Sequence, residues 1–135
     1  MIVGVQGSES FRDYSIFLSG MYRMLIRLKS KEGDKENKQL MLLSAGPKPI
    51  ENMAKEYLNV SEFKSRGIKT RLINVPESWF KSHLSEIDIF YYFCNKKENL
   101  SSLGHYLNDR DIEVQTFRYS DVQLNKKDNI YNRGL

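Results

Sequence analysis

The chain has 135 residues, of which 40% are hydrophobic, 28% charged and 12% aromatic, and its formal net charge is +4. That length fits one domain, and three prolines with eight glycines describe a globular chain rather than a fibrous or disordered one. A single cysteine, Cys94, excludes a disulfide framework and points to a reduced, cytoplasmic setting, which is the host cytoplasm if the chain is viral. The two histidines, His83 and His105, have no ligand spacing to Cys94, so no metal site is expected. No apolar run approaches the ~20 residues that cross a bilayer, and "MIVGVQGSE" lacks a basic leader, so no membrane partner is expected. Lysines and arginines are mixed with acids in "KSKEGDKENK", and nucleic acid is therefore not indicated as a partner.

In chain order, "IVGVQG" from Ile2 to Gly7 is a short valine-rich run that stops at glycine, as a buried strand does. Ile16, Phe17, Gly20, Met21, Met24, Leu25 and Leu28 then recur at three- and four-residue steps, which predicts an amphipathic helix from Asp13 to about Lys29. After a polar break around Gly33, "QLMLLSAG" predicts a second strand. A second helix follows, with Ile50, Met53, Ala54, Tyr57 and Leu58 on its apolar face. "IKTRLINV" alternates as a strand, "PESWFKSHLSE" reads as a loop with a short helix, and "IDIFYYF" is apolar throughout, which implies cover on both faces. Leu100, Leu103 and Leu107 mark a last helix before the strand "IEVQTFRY".

Strands that alternate with helices predict a mainly parallel five-stranded sheet in a three-layer α/β/α sandwich of Rossmann-like type, because parallel neighbours need long crossovers. One domain over residues 1–120 is expected, followed by a polar tail, residues 121–135. That tail cannot fold alone, and it suggests a homo-oligomer or a larger protein assembly.

Ligands of open parallel sheets bind beyond the carboxyl ends of the strands. The candidate segments are therefore "GSESF" after the first strand, "SAGPKPIE" after the second, "PESW" after the third and "CNKKENLSS" after the fourth, all expected to converge on one crevice. Their order resembles the SLOG superfamily of Rossmann-like domains, which includes YspA-like proteins, DNA-processing DprA proteins and cytokinin-activating LOG hydrolases. The YspA-like branch is the nearest, over roughly residues 2 to 119. The resemblance implies a nucleotide or nucleotide-derived ligand, held by Gly7, Ser8, Arg12, Ser44, Gly46, Lys48, Glu51, Trp79 and Asn95.

Three of the four turns depart from the family pattern, while Pro76 and Trp79 in the third resemble it. The family's first turn reads Gly-Ser-Arg-x-Phe; Gly7, Ser8 and Phe11 match, while Glu9 replaces the arginine and would repel a phosphate unless Arg12 supplies the charge. The second turn keeps Ser44 and Gly46, with Glu51 standing in for an aspartate. Pro47 and Pro49 remove amide donors there, yet suit the first turn of a helix. Lys48 reads first as a solvated cation and second as a point charge for an anion. Trp79 serves equally to close a pocket or to pack. In the fourth turn Asn95 to Ser101 carry charge and bulk where the family has glycines.

No P-loop, GxGxxG turn or nucleophile elbow is present in the sequence, and Glu9 and Glu51 are more simply charges at helix starts than catalytic acids. The expectation is a degenerate, non-catalytic SLOG-like domain that serves as an interaction or assembly component, an inhibitor or a scaffold. The alternative is a nucleotide-binding or sensing module. A usage rich in Lys, Asn, Ile and Tyr fits an AT-rich genome, bacterial or viral alike.

Overall fold

A computed structural model describes residues 1–33 and 38–118. The strands are β1 (Ile2–Gly7), β2 (Lys38–Ser44), β3 (Ile68–Asn74), β4 (Ile89–Cys94) and β5 (Val114–Arg118). Helices α1 (Tyr14–Glu32), α2 (Lys48–Val60), α3 (Glu77–Ser82) and α4 (Ser102–Asn108) alternate with them. All four strand pairs are parallel and the sheet order is β3-β2-β1-β4-β5. The expected three-layer Rossmann-like sandwich is what the chain forms.

The layers follow from which side chains each strand turns to each face. Val3, Val5, Leu40, Leu42, Ile89, Tyr91 and Phe93 form one core with α1 and α2, through Phe17, Met21, Met24, Ile50, Ala54 and Tyr57. Leu43, Phe90, Tyr92 and Cys94 form the other with Phe80 of α3 and with Leu103 and Leu107 of α4. Every residue of β4 is buried, which explains its unbroken apolar run, whereas β3 at the sheet edge exposes Lys69 and Arg71 and so alternates.

Helix α1 starts where Asp13 caps it, its carboxylate accepting the Ile16 N–H at 3.1 Å, and it stops at Gly33 with φ 58. Its approach to the sheet needs Gly20, because a Cβ there would stand 2.6 Å from the Phe93 ring. The Arg27–Glu113 and Lys31–Asp88 ion pairs tie its C-terminal half to the strand starts. Burial acts upward on the Asp88 carboxyl. The Ile2 N–H, Lys31 and the N-terminal ammonium together outweigh it and hold the group below its ordinary value.

Several element ends differ from expectation. β2 stops at Ser44 rather than Gly46, since Gly46 turns out of the strand with φ 83. β4 begins at Ile89 instead of Ile87 and runs on to Cys94, and β5 begins at Val114. Tyr119 and the expected tail, 121–135, lie outside the described residues. Among the described residues no helix is long and apolar enough to cross a membrane.

Candidate functional site

The strand order reverses between β1 and β4, and this places the crevice of a doubly wound sheet beyond Gly7 and Cys94. The chain sets one of its own carboxylates there. A turn closed by Glu98 N–H donating to Asn95 O at 3.1 Å carries the Glu98 carboxylate back over the end of β1. One carboxylate oxygen accepts from Ser8 Oγ at 2.6 Å and from the Asn95 backbone N–H at 2.7 Å, and the other accepts from Ser10 Oγ at 3.0 Å. Asn95 Nδ2 donates in turn to Ser10 Oγ at 2.6 Å. These donors hold the Glu98 carboxyl below its ordinary value, the Ser8 hydroxyl first and the Asn95 amide second.

This is the chemistry of an anion cradle, two hydroxyls and a main-chain N–H around a negative group, with a side-chain carboxylate in the anion's place. The strand-end amides are also used: Gly7 N–H donates to Gly46 O at 3.1 Å and Ser8 N–H to Phe93 O at 2.8 Å. Arg12, offered by the sequence as a phosphate partner, donates to the carbonyls of Glu9 at 2.8 Å and Phe11 at 2.9 Å and braces its own loop.

Beneath Glu98 lies a second row of polar groups. Gln6 is buried, its amide donating to Glu77 Oε2 at 3.0 Å and accepting from Ser101 Oγ at 2.6 Å. Ser101 also accepts the Gly104 N–H at 3.0 Å and so caps α4. Arg118 at the end of β5 donates to Glu98 O at 2.9 Å. Burial pushes the neighbouring Cys94 thiol up, against the pull of Arg118, which favours its protonated form.

The other half of the expected site opens elsewhere. Ser44, Gly46, Pro47, Lys48, Glu51 and Asn74 line a recess of about 320 Å³ beyond the ends of β2 and β3. Pro47 stands at the N-cap of α2 and offers no amide hydrogen. Its carbonyl accepts the Ile50 N–H at 3.1 Å, and the Gly46–Pro47 bond is cis. Lys48 Nζ lies 3.2 Å from Glu51, whose carboxyl is held low by Asn74 first and Lys48 second. Among the described residues, the one cation lining the recess is thus answered by a carboxylate at the same rim.

The nine expected residues therefore fall into separate places. Gly7, Ser8 and Asn95 belong to the switch-point crevice, with Arg12 on its loop. Ser44, Gly46, Lys48 and Glu51 belong to the open recess. Trp79 lines neither; it is part-buried, stacks on His83 at 4.2 Å and meets Phe80 edge-on at 5.7 Å. Residues that sequence reasoning did not single out, Glu98, Ser10, Gln6 and Ser101, make most of the hydrogen bonds at the switch point. For Glu98 and Ser10 the one signal was an acid in the fourth turn and two serines in the first; for Gln6 and Ser101 there was none.

Among the described residues no group of three or more His, Cys, Asp or Glu side chains is placed to hold a metal ion. No family model, curated protein or solved structure matches the chain, so the functional reading rests on this geometry.

Proposed function

We propose that the chain is a degenerate SLOG-like domain without catalytic activity, which works as a protein-interaction or assembly component, either inhibiting or scaffolding a partner. The observation that carries this reading is the Glu98 carboxylate, hydrogen-bonded to Ser8, Ser10 and the Asn95 amide at the position topology reserves for a ligand. A phosphate brought to the same donors would meet a fixed negative charge, and Glu9 adds a second on the adjoining loop. Supporting it, the usual nucleophile and base arrangements are missing from the sequence, and Cys94 is buried as a neutral thiol.

Calorimetric titration with nucleoside mono-, di- and triphosphates and with ADP-ribose tests the reading. The expected result is no saturable heat. Binding in the micromolar range by any of them would overturn it.

A second reading, a nucleotide-binding or sensing module, has one observation in its favour, the open recess beside Ser44, Gly46 and Lys48. It requires Lys48 to leave Glu51 for the ligand. In that case the titrations would show binding, and Lys48→Ala would abolish it.

A further inference from the structure

Four large hydrophobic side chains are markedly exposed among the described residues, and three of them share one face of α1: Leu18 at 39%, Tyr22 at 67% and Ile26 at 53%. Their spacing is i, i+4, i+8, so they form a straight ridge about 12 Å long on the face turned away from the sheet. Exposed apolar residues scattered singly are ordinary, but a row of three on one helix is not.

The charges beside the ridge say what would cover it. Arg27 and Lys31, at the rim of the helix, are neutralised by Glu113 and Asp88. Lys29 lies one turn beyond Ile26 in line with the ridge and Arg23 flanks it; both are exposed, and neither has a carboxylate partner among the described residues. The outward face holds Ser15, Ser19 and Ser30 besides, and no acid. A second copy of this face therefore brings no counter-ion. An anionic membrane is also a poor match. The opposite side of α1 is locked in the core, which leaves only three side chains to insert, fewer than interfacial helices use.

We infer that the outer face of α1 docks an acidic amphipathic helix of a partner protein, its apolar side chains seated along Leu18, Tyr22 and Ile26 and its carboxylates answering Lys29 and Arg23. Ser15 and Ser19, small beside the ridge, let the partner backbone come close. The inference rests on the proposed interaction role and names the surface and the partner's chemistry.

The test uses the full chain, isotope-labelled for NMR, and two helical peptides of about four turns. Both carry leucines at three- and four-residue steps; one is flanked by glutamates, its twin by lysines. The expected result is that the acidic peptide shifts the resonances of Leu18, Tyr22 and Ile26 and binds at least about tenfold more tightly than the basic twin, with affinity falling as salt is added. Tyr22→Ala with Ile26→Ala abolishes this. Arg23→Glu with Lys29→Glu, both surface changes, reverses the preference between peptides.

Equal binding of the twins, or shifts confined to another face, would overturn the inference. So would contacts between the ridge and residues 119–135 in the free chain, a dimer that Tyr22→Glu dissolves, or flotation with phosphatidylserine vesicles but no peptide binding. Failure of the peptides leaves the proposed interaction role standing; nucleotide binding in the calorimeter would defeat that role and leave the helix face to be judged by the peptides.

Discussion

Over β1 and β4 the strand ends carry a carboxylate held by two hydroxyls and a backbone N–H, whereas over β2 and β3 they open onto a recess of about 320 Å³. Both regions belong to one sheet edge, and Gly7 N–H to Gly46 O joins them directly. The difference shows that the place topology favours for a ligand and the place with empty volume need not coincide. The first has the right donors and is already satisfied. The second has room, but its donors are few, since proline supplies none and its lysine faces a glutamate.

Glu98 carries most of the difference between the two regions. Glu98→Ala leaves the hydroxyls of Ser8 and Ser10 and the Asn95 N–H without their acceptor, and is expected to cost roughly 1–2 kcal/mol after allowance for partial exposure. Urea unfolding followed by circular dichroism measures this. The same variant should gain weak binding of inorganic phosphate in the calorimeter, where the parent is expected to show none. On the open side, Gly46→Ala forces a Cβ into φ 83 and is expected to cost about 1 kcal/mol, although nothing lies within 4 Å of that Cβ. A neutral result there would mean that the turn relaxes freely into the recess.

A third effect is smaller and depends on pH. Because the Glu98 carboxyl is lowered from 4.5 in the folded chain, its contribution to stability is complete above that value and is lost as pH falls through the folded pKa. Asp88, Glu51 and Glu113 are lowered too, so the melting temperature of the parent falls in acid for several reasons. The gap between the parent and Glu98→Gln isolates the one group. It should be open at neutral pH and close below about 4.5. Lys48→Ala is expected to have the least consequence in the same unfolding assay, because its side chain is 68% exposed and the Glu51 pair is short-range along one helix.

Much of the fold was legible because it rests on local pattern. The continuous apolar run of β4, the alternation of β3 and the three- and four-residue steps of α1 each follow from which faces are covered. Strand order was not legible, since alternation of strands and helices is common to many orders. Without that order the crevice between β1 and β4 could not be separated from the recess between β2 and β3.

The plug was least legible of all. Ser8 and Glu98 are 90 residues apart, and a polar side chain that crosses from one loop to another leaves no period in the sequence. Departures from a glycine-rich pattern were visible in the fourth turn, but as lost donors rather than as an acceptor supplied from within. The ridge on α1 was hidden for a different reason. Leu18, Tyr22 and Ile26 lie among so many apolar neighbours that the helix looks adequately explained by its buried face.

Carbon-detected NMR titration of Glu98 reads out directly whether the chain's own carboxylate occupies the switch-point crevice. The expected midpoint for the Glu98 carboxyl lies below 4.5, with Ser8, Ser10 and the Asn95 amide shifting in the same step. A midpoint at or above 4.5, with those three groups unmoved, would contradict it.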